Sequence, residues 1–290
     1  MLDFFLIGPP KCGTTLLQNI LIQNPGIYLS LKKEIQFFSH HYNKGYKWYN
    51  KHFSDARANQ VIGEISPTYC NSHETLQRIK KYAESYNKDV KIIITIRNPI
   101  KRLLSEYYHN IRRANYDLSI EQAIQTELNA KQVNRYFTIV RNSLYNQILN
   151  DVYSLFKKEN VLVLESEKDI YNENNLPGTV RAIEDFLNVE HFDNYIFKVE
   201  DNSSYTPKSY LIQRVLFQEN PVKKFAKTLM PSFAIRKKIR KFLITKNTKA
   251  KGYDNKSVVP ADVSQNIFDK YLKDDYTLFK NRTDYKTIQQ

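Results

Sequence analysis

The chain has 290 residues, 41% of them hydrophobic and 26% charged, which is too apolar for a disordered chain and long enough for one large α/β domain. Seven glycines and ten prolines exclude collagen-like, repetitive or low-complexity architectures. A net charge of +14 points to an anionic partner: nucleic acid, acidic lipid, polyanionic glycan or nucleotide phosphate.

In chain order, Leu2–Ile7 reads as a buried parallel strand, with the apolar run Phe4-Phe5-Leu6-Ile7. Thr14 to Asn24 has helical spacing, with Leu16, Leu17, Ile20 and Leu21 on one face and Pro25 as a stop. Val61–Glu64 is a short strand, Ser72 to Tyr86 a helix, and Lys91–Ile96 the strongest β-branched run, hence central. Helical patterns follow at Pro99 to Arg113 and Ser119 to Asn129, then at Ser143 to Lys157 with Ser143 as N-cap. Val161–Leu164 is the next strand and Pro177 to Leu187 the next helix. Beyond it, Glu190 to Ser209 is irregular, Gln213 to Phe242 is basic and amphipathic with a break near Pro231, and Asp262 to Phe279 reads as one final helix. Alternating strands and helices predict an α/β, three-layer fold: a central, mostly parallel sheet flanked by helices. Residues 1–290 read as a single domain, with 221–256 a basic helical and loop elaboration within it. The chain enters a strand almost at once, which leaves no room for a signal peptide, and no run of about 18 apolar residues spans a membrane. Cys12 and Cys70 read as free thiols without a metal-ligand neighbourhood, so the expected location is cytoplasmic and no metal site is expected.

The segment Gly8-Pro9-Pro10-Lys11-Cys12-Gly13-Thr14-Thr15 carries the most chemistry. Strand, glycine-bounded turn and helix make a phosphate cradle of backbone N–H groups. It is not a Walker A loop, which places lysine directly after the second glycine; here Thr14 holds that place and the lysine is Lys11. The competing reading is an ordinary strand-to-helix turn. A second anion site follows the central strand: Ile96-Arg97-Asn98-Pro99, then Ser105 nearly two turns into the helix. Arg97 at a strand end can grip phosphate bidentately. Two phosphate sites at the C-terminal ends of two central strands suit a nucleotide phosphorylated at both 5′ and 3′ positions.

These residues resemble the sulfotransferases that use 3′-phosphoadenosine 5′-phosphosulfate (PAPS), a P-loop-like fold. Pro10-Lys11-Cys12-Gly13-Thr14-Thr15 looks like that family's 5′-phosphosulfate loop, and Arg97 with Ser105 like its 3′-phosphate site. Lys33-Glu34-Ile35-Gln36-Phe37-Phe38 followed by Gly45-Tyr46-Lys47-Trp48-Tyr49 resembles the glycosaminoglycan branch, nearest the heparan sulfate N-sulfotransferase domain, with the 3-O-sulfotransferases next. Gly63-Glu64-Ile65-Ser66-Pro67-Thr68-Tyr69 and Ser143-Leu144-Tyr145 also fit.

The resemblance implies that Lys11, Cys12, Gly13, Thr14 and Thr15 hold the 5′-phosphosulfate, that Lys11 neutralises the leaving oxygen, and that Glu34 is the base taking the acceptor proton. It gives His109, one turn after Ser105, a functional role; a histidine that merely packs is the alternative. Lys251 and Gly252, with Lys249 beside them, match a loop that closes over the nucleotide. The family's lysine after the glutamate of Gly-Glu-x-Ser-Pro is replaced here by Ile65, so that cation must come from elsewhere, with His109 or Lys33 as candidates. The implied activity is transfer of a sulfuryl group from PAPS to a hydroxyl or amine of a glycan or glycolipid, without a required metal and with PAP as product. Trp48 suits stacking on a sugar.

Twelve Lys and Arg stand against one acid, Asp254, between Pro221 and Lys256. Apolar residues interleave with them, as in an interfacial amphipathic helix. That pattern predicts a rim facing the acceptor, a lipid-linked glycan or the anionic inner face of a membrane, and no nucleic-acid site; a basic helix that merely covers the core with its apolar face is the alternative. Two other functions compete: a P-loop nucleotide kinase, and a non-catalytic polyanion- or nucleic-acid-binding protein.

Overall fold

The structure, a computed structural model, describes residues 1–30, 32–131, 137–197, 208–217, 239, 242–247, 259–285 and 287–288. The chain divides into two compact units: Met1–Arg102 with Val140–Glu200 and Ile267–Gln290, and Leu103–Ile139 with Asp201–Asn266.

The first unit is built on five strands: β1 (Phe4–Leu6), β2 (Ile27–Leu29), β3 (Val61–Ile65), β4 (Lys91–Ile96) and β5 (Val161–Glu165). They lie in the order β2-β3-β1-β4-β5, and every pairing is parallel. After β1 the chain builds β2 and β3 on one side, then β4 and β5 on the other. The topological switch point is therefore at β1, beside β4. Strand side chains alternate between two cores. Phe5, Ile7, Ile92, Ile94, Ile96, Val161 and Val163 enter one core, and Phe4, Leu6, Ile93, Leu162 and Leu164 the other. A sheet buried on both faces explains why these strands read as unbroken apolar runs.

On the second face lie α1 (Thr14–Leu21) and α7 (Leu176–Leu187), whose Leu17, Ile20, Val180 and Ile183 are buried. The first face carries α2 (Gly45–Asn50), α3 (His73–Glu84), α6 (Tyr145–Tyr153) and α10 (Lys273–Lys280), through Tyr49, Ile79, Tyr82, Leu149, Val152 and Phe279. The expected three-layer fold is present. β2, three residues long, has no counterpart among the expected strands; so short a run offers no periodicity to read.

The second unit contains the part of α4 (Pro99–Arg112) beyond Arg102, α5 (Ile120–Leu128), α8 (Tyr210–Phe217) and the start of α9 (Ala261–Tyr271). Ser119, the first residue of the helical pattern read from the sequence, caps α5 in a reciprocal box with Gln122. Asn247 accepts from the Ser209 N–H and donates to Gln213 Oε1, which ties residues 242–247 to the start of α8. Of the basic stretch, 218–238, 240–241 and 248–258 lie outside the described residues. Among the described residues no helix is long and apolar enough to cross a membrane.

Two local expectations are corrected. Ser143 does not cap α6. It sits fully buried in the preceding 3₁₀ turn, accepts from Arg102 Nε at 2.7 Å and donates to Pro99 O at 3.2 Å. The α6 N-terminus is capped instead by Asp275, whose two carboxylate oxygens each accept a backbone bond, from Asn146 N and Gln147 N at 3.0 Å. The expected final helix is two helices, α9 and α10, separated at the fully buried Leu272, φ −123°. Asp275 lies in the first turn of α10, so the interruption and the cap go together. Asp275→Ala should lower unfolding free energy by about 1–2 kcal/mol, the range of a lost N-cap. Asp275→Asn, which keeps one acceptor oxygen, should cost less; urea denaturation measures both.

Candidate active site

The turn after β1 runs across the C-terminal edge of the sheet. Gly8 lies so close to β4 that an added Cβ would fall 2.3 Å from Thr95 N, so no side chain fits there. Gly13 is at φ 84°, where a Cβ would also meet Ile170 Cγ2 at 2.9 Å. Lys11 holds φ 74° without being glycine, a conformation that costs about 1 kcal/mol and must be held by its surroundings.

Side chains from three other segments hold it. Pro10 O accepts from Arg102 Nη1 at 3.4 Å, Lys11 O from Arg97 Nη1 at 3.3 Å, and Cys12 O from Ser166 Oγ at 2.9 Å. In a planar trans peptide the C=O and the following N–H point in opposite directions. Drawing these carbonyls toward donors therefore turns the amides of Lys11, Cys12 and Gly13 the other way. They adjoin the first turn of α1, where Thr14 and Thr15 N–H have no intrahelical acceptor and no side chain caps the helix. The result is a nest of backbone N–H groups at a positive helix end, a geometry that can hold an anion. Cys12 is buried and contributes backbone; Thr14 is buried, and Thr15 is exposed.

Arg97 stands beside this turn at the end of β4. Its Nε lies 3.2 Å from Glu167 Oε1, while Glu167 Oε2 accepts from Asn98 N at 3.1 Å. Its guanidinium is 5.7 Å from the centre of the Tyr171 ring. Ser166 Oγ also lies 2.7 Å from Ile96 O. The turn after β5 thus locks the nest to the end of β4. Ser166, Glu167, Tyr171 and Arg102 were not among the expected site residues. Arg102 is fully buried, where it spans Ser143 and the Pro10 carbonyl.

The segment bearing Glu34 is strained: Glu34 has φ 55° and Gln36 φ 54°, two left-handed non-glycine residues within three positions. What fixes it is Glu64. This carboxylate, 2% exposed, accepts from Tyr49 OH at 2.5 Å, Ser66 Oγ at 2.6 Å and Tyr69 OH at 2.8 Å. Ser66 Oγ and Tyr69 OH in turn accept from Gln36 N and Phe38 N, each at 3.4 Å. The buried carboxylate orients hydroxyl protons inward, so their lone pairs face the backbone of residues 36–38. The Glu-x-Ser-Pro-Thr-Tyr stretch is therefore a brace for the Glu34 segment. Burial pushes the Glu64 carboxyl above its ordinary 4.5, against the downward pull of the three hydroxyl donors.

The nest and the Glu34 segment meet through Lys33, whose Nζ donates to Thr15 Oγ1. Lys33 and Glu34 line a small cavity with Gln18, Leu29, Glu64 and Ile65. Desolvation holds the Lys33 ammonium below its usual pKa, with Glu34 pulling the other way. Trp48 is half-buried against Phe37, with Lys44 Nζ 4.4 Å and Lys32 Nζ 5.6 Å from its ring centre.

The first unit thus gathers Lys11, Cys12, Gly13, Thr14, Thr15, Arg97 and Glu34. Ser105 and His109 lie on the second unit's part of α4, half-buried and one turn apart. Lys249, Lys251 and Gly252 lie outside the described residues. Among the described residues no group of three or more His, Cys, Asp or Glu gathers as a metal-ligand set.

A carboxyl raised in the fold stabilises it while protonated and loses that contribution as pH rises from about 4.5 through its folded pKa. The melting temperature of the wild type should therefore fall relative to Glu64→Gln, which does not titrate, as pH rises from about 4.5 through the folded-state pKa. Calorimetric scans across that range measure the difference, and a constant offset would contradict the assignment.

Known proteins share this architecture and sequence. The sulfotransferase domain family matches residues 2–252. A solved sulfotransferase from Alicyclobacillus acidocaldarius has the same fold, with a TM-score of 0.60 at 22% identity over 83% of this chain and 96% of that one. Human heparan sulfate glucosamine 3-O-sulfotransferase 5 is 29% identical over 189 residues, 63% of this chain and 52% of that protein. The membrane-associated sulfotransferase kil1 of Dictyostelium discoideum is 36% identical over 113 residues, 38% of this chain and 23% of that protein. The chain spans about a quarter to about half the length of these curated relatives.

Proposed function

Because the chain belongs to the sulfotransferase domain family, we propose that it moves a sulfuryl group from PAPS to a hydroxyl or amine of a carbohydrate acceptor and releases PAP, with residues 1–290 acting as one catalytic domain. The observation that carries this reading is the nest at residues 11–15, with a lysine inside the turn and the braced Glu34 segment joined to it through Lys33. The nest and Lys11 hold the 5′-phosphosulfate. As the bond from sulfur to the phosphate oxygen breaks, its electron pair goes to that oxygen, where Lys11 and the helix N-terminus offset the charge. The acceptor's lone pair forms the new bond to sulfur, and its proton passes to the Glu34 carboxylate. Arg97 and Ser105 take the 3′-phosphate, His109 the acceptor side, and Lys251 with Gly252 the closing loop. A nucleotide kinase would need lysine where Thr14 stands, and a plain polyanion binder leaves the strain at Glu34 and Gln36 without purpose. The heparan sulfate relatives favour a glycan acceptor.

Calorimetry in excess chelator should detect PAP binding, and Arg97→Ala should weaken it by about 1.5 kcal/mol or more, the scale of a charged hydrogen bond. Glu34→Gln should leave PAP affinity intact while turnover of labelled donor falls about 10²-fold. Binding that requires Mg²⁺ would instead support the kinase.

We further assign an anionic membrane surface, or a lipid-linked acceptor lying on it, to the second unit. Leu211, Ile212 and Val215 of α8 and the neighbouring Phe242 and Leu243 are exposed, and Arg214, Lys246 and the 221–256 cations supply charge complementarity. The combined change Leu211→Gln, Val215→Gln and Phe242→Gln should abolish co-sedimentation with phosphatidylserine vesicles without altering PAP binding. Retained sedimentation would leave these residues without that role.

A further inference from the structure

In this fold position 65 is apolar: Ile65 is 4% exposed and packs in the core formed with Phe4, Leu6, Leu17 and Leu29. It cannot present charge to the cavity that it lines beside Glu34. Two lysines line that cavity: Lys32, whose Nζ lies 5.6 Å from the Trp48 ring centre, and Lys33, the one that reaches Thr15. The Lys33 side chain crosses from the Glu34 segment to the first turn of α1, where its ammonium rests on a neutral hydroxyl, Thr15 Oγ1. It lies between the segment that would hold the donor's phosphosulfate and the carboxylate that would take the acceptor's proton.

We propose that Lys33 is a second catalytic cation: it leaves the Thr15 hydroxyl to contact the non-bridging oxygens of the sulfuryl group during transfer, replacing the charge that Ile65 cannot supply. This rests on the sulfotransferase reading above. No covalent step is added. The acceptor atom bonds to sulfur, the sulfur–oxygen bond to the 5′-phosphate breaks with its pair on that oxygen, and the proton goes to Glu34. Lys33 keeps its protons throughout and stabilises oxygens whose charge is redistributed in flight. Three features suit it to this work. Its acceptor at Thr15 is an uncharged hydroxyl, so exchanging it for an anionic oxygen adds ion pairing to the hydrogen bond. Partial burial strengthens its field on a neighbouring anion. The braced backbone at 34–38 fixes the direction from which it reaches the nest.

The test compares PAPS, which carries the sulfuryl group, with PAP, which lacks it, by calorimetry on the full chain. Lys33→Met should keep PAP affinity within about threefold while PAPS affinity falls about tenfold or more, the scale of one charged hydrogen bond. Lys33→Arg should retain most of the PAPS preference, which a purely structural role for the lysine stem would not require. Lys33→Met combined with Ile65→Lys should restore part of the preference; thermal melts report whether that variant folds, and Lys33→Arg decides the matter if it does not. In single-turnover release of PAP with a heparan sulfate oligosaccharide as probe, Lys33→Met should lower the maximal rate and leave the acceptor concentration dependence unchanged. Parallel loss of PAP and PAPS affinity would assign Lys33 to the 5′-phosphate alone and overturn the proposal, as would unchanged PAPS affinity. A wild-type chain that binds neither nucleotide would fail the underlying reading itself.

Discussion

The site depends on the tethering of three successive carbonyls. Pro10, Lys11 and Cys12 each give their oxygen to a side chain from elsewhere: Arg102, Arg97 and Ser166. A trans peptide cannot turn its C=O outward without turning the next N–H inward, so these contacts line up the N–H groups of residues 11–13 on the other side of the turn. They also hold Lys11 at a positive φ that its side chain disfavours. The parallel sheet makes this possible, because β1 and β4 end side by side and the turn after β5 arrives at the same edge.

A second constraint governs the other half of the site. Glu64 is buried among hydroxyls rather than beside a cation. Its negative charge or its shared proton orders Tyr49, Ser66 and Tyr69, and through two of them the backbone that carries Glu34. Buried polar networks of this kind are costly when any member is unsatisfied and rigid when all are satisfied. The aromatic layer beneath, with Phe37 and Tyr49 stacked at 4.5 Å, keeps water from competing. Strain at Glu34 and Gln36 is thus stored against a stiff base, as at sites whose geometry must survive ligand exchange. Lys33 joins this half to the nest through Thr15.

Part of this was legible along the chain. β4 has the bounds read from Lys91–Ile96, and α5 starts where Ser119 and Gln122 form their box, because strand runs and helix caps are decided by neighbours a few residues apart. The turn Gly8–Thr15 was legible for a similar reason: close approach and left-handed backbone demand glycine at fixed offsets. The order of the short motifs was enough to identify the family resemblance.

Other features were settled only in three dimensions. Ser143 reads as a cap and instead anchors Arg102; the true cap of α6, Asp275, lies 129 residues from Asn146. Ser166 is 154 residues from the carbonyl of Cys12 that it holds. Nothing local distinguishes Glu64 as a buried brace from an alternating strand residue, or Lys33 as a bridge from one lysine of a charged pair. The sequence by itself determined four of the five strands, most helices and the glycine-bounded turn, because those follow from periodicity and backbone sterics over short spans. The tertiary structure alone decided which polar groups are buried together, since desolvation and hydrogen-bond satisfaction depend on what the folded chain brings within about 3 Å.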